Sequence, residues 1–161
     1  MDNIQIRPVT AEDRILIGNF LTEQSDSVQI IARGRTSRAD ELPGFLALQG
    51  ERFLGLITYR IENYECEIVT MNSSIEGLGV GTELLKMAIQ AAVEKTCKRV
   101  WAIVTNDNLN ALRCFQTRGF RLAELYRNAV NMAREEHPEI PTHGFDSIPI
   151  LDEIEVEMRL D

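Results

Sequence analysis

The sequence predicts an α/β (α+β) fold, a mixed sheet flanked by helices. Three observations carry that expectation. Three strand patterns follow one another between residues 44 and 72. An amphipathic helix, an apolar strand and a second helix occupy residues 79 to 118. The chain then closes on the strictly alternating DEIEVEMRL. A run of strands followed by a β-α-β succession calls for hairpins and a helical crossover in one sheet. At 161 residues, 44% hydrophobic and 26% charged, the expectation is one domain spanning residues 1–161.

Taken in order, Ile4, Ile6 and Pro8 alternate with polar residues as a short strand. Thr10 caps a helix whose apolar stripe includes Leu16, Phe20 and Leu21. Asp13, three residues on, stands in for the usual Glu of a capping box. Ser25 to Gly44 gives a mixed signal, read as a weak helix and then a loop with Arg33, Arg35 and Arg38. GFLALQGERFLGLITYR and ECEIVTMN form three strands by their β-branched and aromatic content, with Gly50 and Glu51 as a tight turn.

From Gly79 to Lys95 the spacing predicts a helix. Leu85, Ala88, Ile89 and Ala92 share one face, and Glu83, Lys86, Gln90 and Glu94 another. RVWAIVT reads as a strand buried on both faces. Asn108 to Arg118 is a helix with Ala111, Leu112 and Phe115 inward, ended by Gly119. Phe120 to Tyr126 is a strand, followed by an irregular segment. In the tail, Ile154, Val156, Met158 and Leu160 face one way, and Glu153, Glu155, Glu157 and Arg159 form a wet face.

Composition narrows the function classes. Seventeen Lys and Arg against 25 Asp and Glu give a net charge of −8, which argues against nucleic acid as a partner. No apolar run nears the ~18 residues of a membrane span, so no membrane partner is expected. MDNIQIRPVT has no secretion signal. Cys66, Cys97 and Cys114 fit neither a disulfide framework nor a zinc site. The expected location is therefore cytoplasmic. His137 and His143, six apart in HPEIPTH, make a poor metal site, so no metal is expected.

The sharpest local feature is EGLGVGTELL, where Gly77, Gly79 and Gly81 alternate as a strand hands over to a helix. The unpaired N–H groups and positive dipole end of that helix suit an anion. A P-loop needs a lysine before Thr82, where Gly81 stands. A dinucleotide fingerprint needs G-x-G-x-x-G after the first strand. Here the pattern is G-x-G-x-G after several strands, although Asp107 closes the next one. The remaining reading is that the glycines end a strand and let the helix pack closely.

Residues 66 to 85, taken with NDNLNALRCFQTRGF, resemble the GNAT superfamily of N-acetyltransferases. Gly79 and Gly81 match its cofactor motif Gln/Arg-x-x-Gly-x-Gly/Ala. Asn108, Ala111, Phe115, Gly119 and Phe120 match its second motif, Asn-x-x-Ala-x-x-x-Tyr-x-x-x-Gly-Phe, and IRPVTAED is similar to its usual opening.

The resemblance implies a mostly antiparallel central sheet with a splayed strand pair holding acetyl-CoA as co-substrate. The pyrophosphate is expected on the backbone of Gly77, Leu78, Gly79, Val80, Gly81 and Thr82. Val69, Thr70 and Met71 would hold the pantetheine arm and polarise the thioester carbonyl, donors that acyl transfer requires. Asn108, Ala111 and Phe115 would complete the cofactor site.

Three positions depart from the pattern. Glu76 replaces the usual Arg or Gln, and Leu78 stands where a basic residue is common; an acid beside a pyrophosphate weakens binding unless it points away. Phe115 replaces the tyrosine that often protonates the leaving thiolate. A thiol of pKa near ~8.5 leaves tolerably without that proton. Tyr64 and Tyr126 are substitutes that the sequence does not place.

An amine nucleophile needs a base. Glu65 and Glu67 share a strand face, and the family likeness favours Glu67 as nearer the thioester; the alternative is a solvated pair. By the same likeness Arg33 and Arg35 border the acceptor, where they would receive a carboxylate or phosphate, or else they form a charged surface loop. The expected function is transfer of an acetyl group to a primary amine, on a small molecule or a protein, by direct attack in a ternary complex. A homodimer is an allowed assembly. A non-catalytic acyl-CoA-binding regulatory domain and a nucleotide-binding protein of another fold stay open.

Overall fold

The structure is a computed structural model and describes residues 3–24, 27–74 and 79–161. In chain order it comprises β1 (Ile4–Pro8), a 3₁₀ turn (Ala11–Asp13), α1 (Arg14–Glu23), β2 (Gln29–Ala32) and β3 (Arg35–Arg38). A second 3₁₀ turn (Ala39–Glu41) leads to β4 (Gly44–Gln49), β5 (Arg52–Glu62) and β6 (Glu65–Ser73). There follow α2 (Val80–Glu94), β7 (Arg99–Thr105), α3 (Leu109–Thr117), β8 (Arg121–Tyr126), α4 (Ala129–Ala133), a 3₁₀ turn (Phe145–Ser147) and β9 (Glu153–Arg159).

Seven strands form one sheet in the order β1-β4-β5-β6-β7-β9-β8. Among them β6 and β7, joined by the α2 crossover, pair in parallel; the other neighbours are antiparallel. Both faces of the central strands are covered. Along β4, Phe45 and Ala47 enter the core shared with α2 and α3, whereas Leu46 enters a second core with Ile17, Phe20 and Leu21 of α1. Period-2 alternation therefore divides one apolar strand between two layers.

The β5–β6 hairpin turns on Asn63 and Tyr64, both at positive φ (53° and 62°), as a two-residue turn matched to strand twist requires. It fixes the register Glu62↔Glu65, Ile61↔Cys66 and Arg60↔Glu67.

Three expectations are corrected. The weak helix within residues 25–44 is a β-hairpin, β2 pairing β3 from Gln29↔Arg38 to Ala32↔Arg35, so Arg33 sits at its tip and Arg35 and Arg38 on a strand. Leu16 is 47% exposed, and Ile17 takes its place inward beside Phe20 and Leu21. The acidic face of β9 is not wet throughout. Glu153 and Glu155 are buried because guanidinium groups lie across them: Arg33 reaches Glu153, and Arg99 reaches Glu155 at 2.7 Å and Glu157 at 2.9 Å. Paired charge is what lets carboxylates go under cover.

The capping box at α1 is real and extends further than the sequence implies. The Asp13 carboxylate accepts from the Thr10 backbone N–H (2.8 Å) and hydroxyl (3.2 Å). It also takes a two-pronged pair from Arg7 at 2.7 and 2.8 Å, tying the helix start to β1. Arg7 holds the Asp13 carboxyl down to about 2, against its burial. A depressed carboxyl contributes stability that is fully present above its unfolded pKa and is lost as pH falls through the folded value. Asp13→Asn should cost about 2 kcal/mol at pH 7, read as a lower urea midpoint. It should also flatten the decline in stability between pH 4 and 2.

Candidate active site

The rungs between β6 and β7 run from Glu65↔Arg99 to Ile68↔Ala102 and then stop. Beyond them β6 stays with β5 as far as Ser73, and β7 stays with β9 as far as Thr105. The two strands part, and the β7-facing edge of Val69, Thr70 and Met71 has no strand against it. A bulge lies at the same place, since the β5–β6 register passes from Tyr59↔Ile68 to Thr58↔Thr70 and skips Val69. Bulges redirect a strand in this way. The hydroxyls of Thr58 and Thr70, both buried, bond each other at 2.7 Å beside it.

A cleft of roughly 350 Å³ opens at the split. Its wall brings together Val69, Thr70, Met71, Asn108, Ala111, Phe115, Glu67, Arg33 and Arg35, all of them expected site residues. Asn108 is there as the N-cap of α3, its side chain accepting from the Ala111 N–H at 3.1 Å. Phe115 is buried against Phe120, ring centroids 4.9 Å apart.

Past the described end of β6 stands the N-terminus of α2. Gly79 caps it at φ +74°, where a Cβ would be strained. A Cβ built on Gly81 meets nothing within 4 Å among the described residues, so they leave that position of the first turn open. The Thr82 hydroxyl accepts from Arg118 Nε at 2.7 Å and also from its Nη2. Arg118, at the end of α3, thus brings a cation to this helix start, and nothing in the sequence pointed to it. Of the expected phosphate-loop positions, Glu76, Gly77 and Leu78 lie outside the described residues.

Glu67 sits one residue before the strands part. Arg60 Nη1 donates to its Oε1 at 2.9 Å, and Arg60 Nη2 donates to the Ser37 hydroxyl. Burial pushes the Glu67 carboxyl above its ordinary range, opposed by Arg60 and Arg35. Glu65 is engaged elsewhere, with Arg99 Nε at 3.0 Å.

Arg33 donates through its backbone N–H to both oxygens of Glu153 (3.2 Å each), and its guanidinium lies 3.5 Å from the Tyr126 ring centre. Arg35 pairs with Glu62 at 2.7 Å. Each arginine therefore meets an acid of its own chain. Tyr126 donates its hydroxyl to Glu155 at 3.0 Å, and Tyr64 is exposed in the β5–β6 turn. No tyrosine is among the residues of the cleft wall. Asp107 is no ribose ligand: its buried carboxylate accepts from the Thr105 hydroxyl (2.6 Å) and the Phe145 N–H (3.1 Å).

The split sheet, the glycine-led helix and the motif on α3 define an acetyltransferase, and the chain belongs to the acetyltransferase (GNAT) family, whose model matches residues 11–120. Its class is that of an acyltransferase. It is 39% identical to the uncharacterized protein YxbD of Bacillus subtilis over 152 residues, 94% of this chain and 96% of that one. It is 31% identical to N-alpha-acetyltransferase 30 of Xenopus laevis over 101 residues, 56% of this chain and 37% of that protein. In fold it is similar to a GNAT family acetyltransferase from Elizabethkingia anophelis solved with acetyl-CoA bound. That likeness has a TM-score of 0.71, with 22% identity over 99% of this chain and 100% of the other. Among the described residues no helix is long and apolar enough to cross a membrane, and no three metal-ligating side chains cluster.

Arg60 lowers the Glu67 carboxyl while burial raises it, so removing this guanidinium should leave burial opposed by Arg35 without the hydrogen-bonded partner. Arg60→Met is expected to move the Glu67 titration to higher pH, followed by the side-chain carboxyl carbon shift in NMR. A midpoint that stays put or falls would show that the pair does not set this carboxyl.

Proposed function

We propose that this chain is an N-acetyltransferase that moves an acetyl group from acetyl-CoA to a primary amine by direct attack in a ternary complex. The observation that carries this reading is the parting of β6 and β7 beyond Ile68, with Glu67 one residue before the gap. The chain's groups fit the cofactor at both ends. Gly79, Val80, Gly81 and Thr82 offer a helix start that the described residues leave open at Gly81, and Arg118 adds positive charge there. Gly77 and Leu78 belong to the same proposed phosphate loop.

Acetyl-CoA supplies an activated acyl group and a thiolate leaving group. Backbone N–H groups along Val69, Thr70 and Met71 are the donors for the thioester carbonyl. Glu67 takes the proton of the amine, directly or through water, and its raised carboxyl makes it a stronger base than an ordinary carboxylate. Phe115 has no proton to give, and the thiolate departs without side-chain protonation. Arg33 and Arg35 border the acceptor. A substrate carboxylate or phosphate reaching them would compete with Glu153 or Glu62.

The acceptor amine belongs to a small molecule or a protein, and the partial similarity to N-alpha-acetyltransferase 30 supports including protein N-termini. A non-catalytic acyl-CoA-binding role is the second reading, favoured by a cleft wall without a tyrosine hydroxyl.

Calorimetry with acetyl-CoA and thiol release across an amine panel separate the two. Gly81→Leu should fold as well as the parent or better, since the described residues leave its Cβ unobstructed on a helix. It should nevertheless lose at least tenfold in acetyl-CoA affinity; unchanged affinity would remove the phosphate from this helix start. Glu67→Gln should lower kcat by about 10²–10⁴ and abolish the ascending limb of the pH–rate profile. If Phe115→Tyr leaves turnover equal or higher, the thiolate needs no proton from this position; a fall would show that the hydroxyl obstructs the site.

A further inference from the structure

A second pocket, about 290 Å³, adjoins the cleft, and Ile31 and Thr105 line both. Its other walls include Val130, Ala133, Ile140 and Ile150, together with the carboxylate-bearing Glu139 and Glu153. At this size it falls just below the roughly 300–1,000 Å³ of sites that enclose a whole ligand. It suits one side group of a ligand whose reacting end lies in the cleft.

The walls are fastened from behind by polar contacts. Arg134 donates to the carbonyls of Ile140 (3.3 Å), Pro141 and Ile150 (2.6 Å), gathering both ends of the segment 140–150. Asp107 holds the middle through the Phe145 N–H. Gly144 passes so close that a Cβ there would lie 1.9 Å from Asp107 Oδ2. An apolar pocket whose backbone is anchored this way is preformed.

Resting on the acetyltransferase reading above, we propose that the acceptor is an amine bearing an apolar alkyl or aryl group, and that this group occupies the pocket between β2 and residues 130–150. The amine chain then passes the Ile31–Thr105 junction, and its nitrogen extends into the cleft that Glu67 lines. The pocket's apolar walls, with the carboxylates of Glu139 and Glu153 and no cation among the described lining residues, disfavour acceptors whose far end is anionic.

The test uses the whole chain and straight-chain amines from propylamine to heptylamine, with 6-aminohexanoate as the anionic counterpart of hexylamine. Acetylation is read by thiol release, and binding of the same amines by calorimetry with and without CoA. The kcat/KM should rise about fourfold per added methylene until the pocket is full, and 6-aminohexanoate should fall well below hexylamine. Ala133→Trp should flatten the series without changing acetyl-CoA affinity. Ile140→Asn should do the same should the tryptophan variant not fold.

A flat series in an enzyme that acetylates these amines overturns the pocket assignment and leaves the acetyltransferase reading intact. So does a series that stays equally steep in both variants. If acetyl-CoA binds and none of these amines is acetylated, turnover does not read the pocket, and the acetyltransferase reading passes to the wider amine panel. Calorimetry still decides the pocket then: chain-length-dependent binding lost in the variants supports it, and no binding overturns it.

Discussion

Everything at the proposed site depends on β7 having two claims on its edges and β6 honouring only part of one. The parallel rungs end at Ile68↔Ala102, while β7 continues with β9 and β6 with β5. Backbone groups that leave a ladder inside a protein must find other partners. A sheet that parts in its middle is therefore costly unless something else satisfies it. The bulge at Val69 and the buried Thr58–Thr70 hydroxyl pair fix where the strand turns away. The same divergence gives α3 room to present Asn108, Ala111 and Phe115 to the gap.

Around this opening the charges are arranged in pairs that leave little free. Arg60 serves Glu67 and Ser37, Arg33 serves Glu153, and Arg99 serves Glu65, Glu155 and Glu157. A chain of net charge −8 thus places several of its cations where acids have been taken under cover. Within that pattern Glu67 differs, because its burial outweighs its partners and raises the carboxyl. Asp13 shows the opposite balance: a two-pronged guanidinium and a helix start outweigh burial. The direction follows from which interaction is larger at each carboxylate, not from burial alone.

Much of this was legible in the sequence, and the exceptions have physical causes. Long periodic segments declared themselves: α2 from the spacing of Leu85, Ala88 and Ala92, and β9 from its alternation. The β2–β3 hairpin did not, because strands of four residues, one of them the polar RTSR, carry almost no period-2 apolar signal. The polar side of β9 was read correctly as a face but wrongly as wet, since only tertiary pairing with Arg33 and Arg99 covers it. The Arg60–Glu67 pair was recoverable: a two-residue turn at Asn63 and Tyr64 sets Arg60 opposite Glu67 by counting alone. Arg118 was not recoverable, because its contact with Thr82 joins two helices through packing that no local pattern encodes.

The tip of the β2–β3 hairpin, which lines the cleft, is fastened differently from its base. Val28 and Ile30 rest on the core of α1, whereas Arg33 and Arg35 are held by Glu153, Glu62 and the Tyr126 ring. Apolar anchoring strengthens in excluded salts, and exposed ion pairs weaken as the Debye length shrinks to about 8 Å at 0.15 M. Raising an excluded salt therefore acts in opposite senses on the apolar base of the hairpin and on its exposed Arg35–Glu62 pair. Fresh water and brine would meet the same cleft with its hairpin edge held to different degrees.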